Sequence, residues 1–471
     1  MTEYVEQMDS ALPSEERIRE THERLEREGV KYLLPAWIDL FGIPKTKPVP
    51  LCDFRDLCIG KGPQFAVHSV SYVPELTPAD PDQIIIPDLD AVYVCPWDRS
   101  TAMIFCDLFW EGQPYNVCPR QALKRGIQDA REAGFVGSAG IEPEFIAMRF
   151  DESGRPVKAV ENDPANAINP RRQAFGYDLE YSIEAMPFFK DMIDILNEMG
   201  WGLHDVVAEG AYSQFELDFH YTNVLEMADR LVFLRILLKE VAKRHGWFIT
   251  FMPKPTTGDW RSGAHINFSL QAAGRPGENL FGSASQGWTD SARHAVGGLI
   301  THSEALTALT CPTVNSYNGL VPRVGGLEGG TVTWAPTNIT FGHNNRSAQF
   351  RLPQSRYCIE NRAADMCMNI YLALAMTQAA VIEGITNRID PGPPTDRDLY
   401  AMTDEEFREL GIRRLPRNLF EAVEALGQDT LAERVMGPVM RKSYIEYKVD
   451  EWERYSQSVT DWEVKEYLRL Y

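Results

Sequence analysis

The sequence predicts an α+β protein built from two lobes. Of its 471 residues, 44% are hydrophobic and 11% aromatic, so the chain can bury a large core. Short apolar runs broken by Pro, Gly and Asp dominate the first part of the chain, which is typical of strands. Longer runs with helical spacing then alternate with short strand-like runs. The length favours two lobes, residues 1–115 and 116–471.

The first lobe is expected to be a small sheet-containing domain with a leading helix. Residues 14–29 begin with a Ser cap, carry charges at helical spacing and end in Gly, which predicts a surface helix. Three later runs predict short strands, and they are YLLPAWIDLFG (32–42), QIIIPD (83–88) and TAMIFCDLFWEG (101–112). The linker to the second lobe is expected near residues 111–120.

The second lobe mixes long helices with strands. Residues 119–134 start with Pro and predict a helix, and residues 138–151 predict a strand. Further predicted helices cover 184–200, 222–246, 291–309 and 366–385. Further predicted strands cover 215–221, 248–255, 264–270, 347–353 and 357–362. The tail, residues 429–471, is helical, amphipathic and charged, which suits packing against the domain or a neighbouring subunit.

Charge and composition disfavour several classes of partner. The formal net charge of −20 repels nucleic acid and anionic membrane surfaces over much of the protein. The sequence has no apolar run of about 18 residues, and its acidic N-terminus lacks the apolar stretch of a signal peptide. We therefore expect a cytoplasmic protein with no nucleic-acid or membrane partner. The eight scattered cysteines lack CxxC spacing and are expected to be reduced thiols.

The segment GIEPEF (140–145) is the strongest local signal for chemistry. Successive strand side chains point to opposite faces, so Glu142 and Glu144 project from the same face. Such carboxylates repel each other unless a cation or proton lies between them, and Mg²⁺ or Mn²⁺ prefers oxygen ligands. The alternative is a solvated strand face. A second pair, Glu209 and Glu216, flanks a tight turn and is placed to face one centre.

Two further strands carry polar residues at strand spacing. Alternation in SGAHINFSL puts His265, Asn267 and Ser269 on one face. Imidazole is a common metal ligand, and the amide and hydroxyl suit a nucleotide. In YCIENR, Glu360 and Arg362 share a face. The alternatives are an ordinary packed histidine and a surface ion pair worth about 1 kcal/mol or less.

Arginines cluster in the segment HNNRSAQFRLPQSR. It carries Arg346, Arg351 and Arg356 within an otherwise acidic protein. Guanidinium groups bind phosphate oxygens through paired donors, so this cluster suits phosphoryl transfer. Ordinary surface basicity is the alternative.

The order of these motifs resembles the glutamine synthetase family over residues 25–430. Along the chain come E-P-E, E-x6-E, G-A-H-x-N-x-S, N-S-Y-x-x-L-V-P, N-R-S-A-x-x-R and E-x-R. The resemblance implies a small N-terminal β-grasp domain and a large C-terminal domain on a curved antiparallel sheet flanked by helices. It implies ATP and roughly two or three Mg²⁺ or Mn²⁺ ions per site. It also implies a homo-oligomer, a dodecamer of two stacked hexameric rings with active sites between subunits.

The resemblance also implies roles for single residues. The ligands of one metal ion correspond to Glu144, Glu209 and Glu216, and those of a second, nucleotide-bridging ion to Glu142, His265 and Glu360. Positions that contact ATP correspond to Asn267 and Ser269, with Tyr221 against the adenine. The arginines that hold the transferred phosphoryl group correspond to Arg346 and Arg351, and the one beside the acid substrate to Arg362.

The amine side departs from the family pattern. Glutamine synthetases carry an Asp in F-D-G-S, on a loop of the neighbouring subunit, that binds ammonium. The matching stretch here is Phe65-Ala66-Val67-His68-Ser69, which has no carboxylate. The family's flap glutamate is Gly325 here, followed by a longer insert that contains Glu328. Losing two anionic groups weakens ammonium binding and predicts a bulkier organic amine. An aryl amine is slightly favoured because it is neutral at cellular pH.

The acid side is altered as well. Gly319 replaces the family arginine that grips the α-carboxylate of glutamate, and a shortened GDWRSGAH has Arg261 and Ser262 in place of the family's Asn-Gly. Arg261 or Arg323 is a candidate for the missing charge, since an unpaired carboxylate binds poorly. Glutamate is the default acid. Tyr400 matches a tyrosine that some bacterial members adenylylate, and a packing role is expected for it.

Together these patterns predict an ATP-dependent ligase. It joins a carboxylic acid, with the γ-carboxylate of L-glutamate as the default, to an organic amine through an acyl-phosphate, as in relatives that degrade isopropylamine or aniline. The alternatives are the same chemistry with another acid, a true glutamine synthetase that uses ammonium, and a non-catalytic structural relative. All six metal positions and both phosphate arginines are present, which disfavours the last.

Overall fold

The computed structural model describes residues 12–67, 73, 75–160, 176–257, 259–275, 277–324 and 331–470. The helices are α1 Glu15–Arg27, α2 Phe54–Cys58, α3 Pro119–Glu132, α4 Leu179–Glu198, α5 Val224–Arg244, α6 Asp290–Thr301, α7 Ser303–Thr310, α8 Val314–Tyr317, α9 Ile370–Thr386, α10 Asp404–Glu409, α11 Leu419–Gln428, α12 Thr430–Met436, α13 Pro438–Ser456 and α14 Asp461–Tyr467. The strands of the first lobe are β1 Tyr32–Ile38, β2 Pro44–Thr46, β3 Val49–Pro50, β4 Phe65–Ala66, β5 Asp82–Val94, β6 Thr101–Trp110 and β7 Gln113–Pro114. Those of the second lobe are β8 Phe135–Phe150, β9 Pro156–Lys158, β10 Leu203–Ala208, β11 Gln214–Phe219, β12 Thr222–Asn223, β13 Phe248–Thr250, β14 Ala264–Ala272, β15 Gly282–Ser283, β16 Gly287–Trp288, β17 Arg323–Val324, β18 Thr331–Val332, β19 Asn338–Ile339, β20 Phe341–His343, β21 Phe350–Leu352, β22 Ile359–Asn361 and β23 Arg413–Arg414.

The first lobe is built on a seven-stranded sheet. Its order is β2-β1-β6-β5-β4, with β3 beside β1 and β7 beside β6. β1 and β6 are parallel, and the other pairs are antiparallel. The Oγ of Ser14 accepts a hydrogen bond from the backbone N–H of Arg17 at 3.3 Å and so caps α1, as its sequence predicts. The β-grasp description of this lobe stays a prediction.

The second lobe is built around β8, the sixteen-residue strand at the centre of a ten-stranded sheet. The main path is β10-β11-β8-β14-β22-β21-β20, and β9, β12 and β13 also pair with β8. The pairs are antiparallel except β20 with β21. Helix α9 is apolar on nearly every side and packs between the other helices, chiefly α6 and α3. One hydrophobic cluster extends through both lobes.

A buried arginine joins the two lobes. The guanidinium of Arg120 in α3 is fully buried and binds Asp88 and Asp107 of the first lobe at 2.8 and 2.9 Å. It also binds Asp229 of α5 at 2.8 Å, and the Tyr371 hydroxyl donates to Asp229 at 2.6 Å. Because a buried guanidinium requires paired carboxylates, this network sets the position of the first sheet on the second lobe.

A second buried network lies at the junction of α6 and α7. The imidazole of His302 contacts Asp429 through Nδ1 at 2.7 Å and Glu383 through Nε2 at 3.1 Å. Arg434 pairs with Glu383. Burial on its own would lower the pKa of His302. The hydrogen bonds and charges of Asp429 and Glu383 together outweigh burial and raise that pKa above its ordinary value.

The α+β prediction is confirmed, with differences in single elements. The helix predicted over 291–309 is two helices that meet at His302, where the imidazole binds two carboxylates. The strand predicted over 248–255 is limited to β13, because the prolines that follow lack the N–H of a sheet ladder. The predicted helical tail begins as α12, and Gly437, with a φ of 75°, separates it from α13. All eight cysteines are free thiols.

Candidate active site

The strand register around β8 brings the predicted site residues to one face of the sheet. Glu216 of β11 lies opposite Glu144, and His265 of β14 lies opposite Glu142. Residues directly opposite each other in an antiparallel pair project from the same face. Glu360 of β22 is opposite Asn267, one strand further along. The site is therefore a row of side chains that crosses four neighbouring strands.

One group of possible metal ligands consists of Glu142, His265 and Glu360. One ligand atom from each lies within 4.8 Å of the others. The His265 Nδ1 is 3.0 Å from the Glu142 Oε2, and Asn267 donates to the Glu142 Oε1 at 2.9 Å. Glu360 is fully buried. These are the three residues that the family resemblance assigns to the second ion.

A second group consists of Glu144, Glu216 and His265, again within 4.8 Å. The His265 Nε2 lies 3.8 Å from the Glu144 Oε1, so the imidazole is shared by both groups. Gly263 makes room for this contact, since a Cβ there would lie 2.8 Å from the Glu144 Oε1. Glu209, also expected here, lies outside the 4.8 Å group but interacts electrostatically with Glu144.

The electrostatics of the site depend on burial and on like charges. Burial and the neighbouring Glu144 raise the pKa of Glu209 to about 7. Burial and Glu144 also raise the pKa of Glu216 well above its ordinary value. Burial acts in the same direction on Glu142, but the hydrogen bond and charge of His265 outweigh it and hold the pKa of Glu142 below its usual range.

These residues fit a divalent cation. Several carboxylates this close cannot all be ionised without a neutralising positive charge. Burial first, and then the charges of Glu144 and Glu142, raise the pKa of Glu216. The donor set is carboxylate oxygens with one imidazole, which suits Mg²⁺ or Mn²⁺ better than a soft metal.

Arginines line the Glu360 side of the site. Arg351 donates to the Glu360 Oε2 at 2.7 Å, and Arg362 donates to the Oε1 at 2.5 Å. Arg356 reaches across to the Glu142 Oε1 at 2.7 Å. The side chain of Arg346 is exposed, while its backbone carbonyl accepts from the Arg362 Nε at 3.0 Å. The guanidinium groups of Arg351, Arg356 and Arg362 therefore lie on one side of the carboxylates.

The residues expected to contact the nucleotide lie on the same face. A Cβ at Gly140 would be 3.4 Å from the Tyr221 Cβ and 3.9 Å from the Asn267 Cβ, so both flank the same point of β8. Tyr221 is exposed, and Ser269 follows Asn267 on that face of β14, opposite Ser138. The Asn267 Oδ1 accepts from the Cys358 thiol at 3.4 Å, so both ends of its amide have protein partners here.

The substrate positions that depart from the family pattern are only partly described. Arg261 does not present a free guanidinium, because it donates to the buried Asp365 at 3.0 Å. Its Cβ, Cγ and Cδ pack where a side chain at Gly319 would lie. Phe65 is buried and stacks on Trp37, with 4.0 Å between the ring centroids. His68, Ser69, Gly325, Glu328 and the side chain of Arg323 lie outside the described residues.

Three residues at the site were not predicted to act there. Gln214 is buried and donates to the Glu144 Oε2 at 2.6 Å. Asp218 is two residues beyond Glu216 on β11, and burial and Glu142 raise its pKa to about 7. Strand alternation was a sufficient signal for both. Trp260 lies on Gly210, next to Glu209, and no pattern in the sequence points to that contact. Tyr400 packs as expected, with its hydroxyl bonded to the Ala335 carbonyl at 2.7 Å.

Two clusters of carboxylates that share one imidazole, with arginines along one side, are an arrangement that suits a phosphoryl-transfer enzyme assisted by divalent cations. The chain belongs to the glutamine synthetase family: the family model for the glutamine synthetase catalytic domain matches residues 116–467. It is an ATP-dependent carboxylate–amine ligase of that family, which uses ATP and divalent metal ions.

Relatives match along almost the whole chain. Glutamate–methylamine ligase from Methyloversatilis universalis is 33% identical over 458 residues, which cover 96% of this chain and 99% of the relative. Glutamine synthetase from Rhizobium meliloti is 32% identical over 439 residues, covering 93% and 96%. A solved structure of a GmaS/ADP complex in its conformation 1 superimposes with a TM-score of 0.84 at 31% identity, covering 95% and 99%. Apo GmaS without ligand gives a TM-score of 0.82. Within the described residues, no helix has the length and apolarity needed to cross a membrane.

Proposed function

We propose that this chain forms a γ-glutamyl amide from L-glutamate and an organic amine, and that it serves amine degradation. The observation that carries the proposal is the row of clustered carboxylates beside Arg351, Arg356 and Arg362, in a chain 33% identical to a glutamate–methylamine ligase. The missing anionic residue at Ala66 supports an amine other than ammonium.

The residues present would hold roughly two or three Mg²⁺ or Mn²⁺ ions, because they form two groups of oxygen and nitrogen ligands. One set of ligands is Glu144, Glu209 and Glu216, and the other is Glu142, His265 and Glu360. When bound, the ions neutralise phosphate charge and polarise the transferred phosphoryl group.

The arginines then position the reacting groups. Arg346 and Arg351 hold the γ-phosphoryl oxygens, and Arg362 aligns the acid, with Asn267, Ser269 and Tyr221 against the nucleotide. A carboxylate oxygen of the acid forms a bond to the γ-phosphorus as the bond to the ADP oxygen breaks. The amine nitrogen, in its neutral form, next forms a bond to the acyl carbon, water takes up one N–H proton, and inorganic phosphate leaves with the C–O electron pair. The guanidinium charges stabilise the phosphoryl group through both steps.

The proposal extends to assembly and location. We expect two domains divided near residues 115 and 116, and a cytoplasmic dodecamer of two stacked hexameric rings with sites between subunits. Mass photometry of the purified full-length chain tests the subunit number. A monomer that turns over at full rate contradicts a shared site.

The test of function is release of ADP by the purified full-length chain. Glutamate is combined with methylamine, ethylamine, isopropylamine, aniline or ammonium, each with Mg²⁺ or Mn²⁺, and the product mass is read by mass spectrometry. The expected product is a γ-glutamyl alkyl or aryl amide. Glu216→Gln is expected to lose about 100-fold or more of this activity, whereas the matched, exposed Glu198→Gln keeps it. No ADP release with any amine, from a folded protein, contradicts the proposal.

One observation favours an acid substrate other than glutamate. The guanidinium of Arg261 is bonded to Asp365 and its stem fills the space at Gly319, so neither position supplies the family's α-carboxylate contact. With an accepted amine fixed, a panel of acids with and without an α-carboxylate separates the two possibilities. If an acid without an α-carboxylate is turned over faster than glutamate, that acid, and not glutamate, is the substrate.

A further inference from the structure

An indole ring lies against the backbone at the edge of the active site. A Cβ at Gly210 would be 1.8 Å from two ring carbons of Trp260, so the ring packs directly on this glycine. Gly210 follows Glu209 in the turn between β10 and β11. The indole is only partly buried and therefore keeps surface available to a small ligand.

The segment that carries Trp260 is held on both sides. Asp259 pairs with the buried Lys158. The Arg261 guanidinium binds Asp365 at 3.0 Å, and the Arg261 carbonyl accepts from Gln214 at 3.2 Å. Contacts of both neighbouring residues therefore hold the backbone that carries the indole, as expected for a pre-formed binding surface.

The strand order separates charge across the site. Glu209 and Glu216 belong to the β10–β11 end, whereas Arg351 and Arg362 belong to the β21–β22 end, where they bind Glu360. Anionic phosphates and carboxylates are attracted to the arginine end. A cationic group is attracted to the carboxylate end, and there the indole of Trp260 packs on Gly210, the residue that follows Glu209.

From this arrangement we propose that Trp260 is a wall of the amine subsite and selects a small alkylammonium over ammonium. The inference rests on the function proposed above. A carboxylate next to an aromatic face is the chemistry that recognises an alkylammonium: the charge is drawn to the carboxylate, and the alkyl carbons and the cation contact the ring. Ammonium shares the cation–π attraction but has no alkyl carbons to contact the indole, so the ring stabilises the organic amine more than ammonium.

The experiment compares amine selectivity in Trp260→Ala, Trp260→Phe and the wild-type chain. The ratio of kcat/KM for methylamine to that for ammonium is expected to fall about 10-fold in Trp260→Ala, through a higher KM for the amine. Trp260→Phe is expected to keep most of the ratio, and KM for the acid and ATP stays constant in both variants. Trp247→Ala is a matched control, because Trp247 is partly buried against Phe188, away from the site residues. It is expected to leave the ratio unchanged.

The outcomes separate this inference from the proposed function. If the wild-type chain releases no ADP with any acid and amine, the proposed function fails. If the wild-type chain is active and the ratio is unchanged in a folded Trp260→Ala with unaltered Mn²⁺ binding, the inference is wrong and the function stands. A rise in KM for the acid alone also overturns it, because the indole then belongs to the acid subsite.

Discussion

Replacing Gln214 with Leu is expected to weaken metal binding without a change at any metal ligand. The Gln214 Nε2 donates to the Glu144 Oε2 at 2.6 Å, and the Gln214 Oε1 accepts from the Ala211 N–H at 3.0 Å. The second bond fixes the amide orientation, so the donor always faces Glu144. The first bond directs the other carboxylate oxygen toward His265.

The magnitude follows from the kind of bond that is lost. A hydrogen bond to a charged group contributes about 1.5–3 kcal/mol, and the residue behind a metal ligand typically affects metal affinity about 10- to 100-fold. Gln214 is 2% exposed, so water does not replace the lost donor without a local rearrangement. We therefore expect Gln214→Leu to raise the Kd for Mn²⁺ by about 10- to 100-fold.

The assay is a Mn²⁺ titration in which free ion is counted by electron paramagnetic resonance, followed by the Mg²⁺ dependence of ADP release. Gln378→Leu is the matched control, because Gln378 is equally buried and donates to the Gly126 carbonyl at 2.8 Å, far from the carboxylates. It is expected to cost about 1 kcal/mol of stability and leave Mn²⁺ binding unchanged. A folded Gln214→Leu that binds Mn²⁺ within about twofold of the wild-type chain refutes the assigned role.

Two further predictions concern stability. The raised pKa of His302 gives a stabilisation that is fully present below its ordinary value of 6.5 and is lost as pH rises through the folded-state pKa. The Tm difference between the wild-type chain and His302→Gln should therefore be largest in mild acid and should narrow at alkaline pH. In mild acid Asp429 is still ionised, because its pKa is lowered. A Tm difference that stays constant with pH contradicts this prediction. Gly319→Ala should lower the free energy of unfolding by about 1–3 kcal/mol, because a Cβ there would lie 2.3 Å from the Arg261 Cβ. Gly427→Ala, whose nearest neighbour would be 3.6 Å away, should be neutral or stabilising in the same denaturant titration.

Local periodicity explains which site residues could be predicted from the sequence. Glu142 and Glu144 are two residues apart on one strand, so their shared face follows from the pleat alone. The same reasoning groups His265 with Asn267 on β14. The fold class follows from similar patterns, because strand and helix spacings differ clearly over segments of this length.

Contacts between distant segments explain what could not be predicted. That His265 lies opposite Glu142 depends on the β8–β14 register, which no local pattern determines. Arg261 was a candidate for the acid's counter-ion, but its pairing with Asp365 depends on how the loop before β14 packs on the segment before α9. The break at His302 likewise coincides with contacts to distant carboxylates, those of Glu383 in α9 and of Asp429, which caps α12.

Three glycines around the site each make room for side chains from other segments. Gly210 receives Trp260, Gly263 receives the Glu144 and His265 side chains, and Gly319 receives the stem of Arg261. Trp260 and Arg261 are adjacent, so a displacement of one side chain is transmitted to the other through a short backbone segment. An arginine at position 319 cannot fit while Arg261 fills that space. Restoring the family's acid contact therefore requires removal of Arg261 together with the change at Gly319, and neither substitution alone is expected to achieve it.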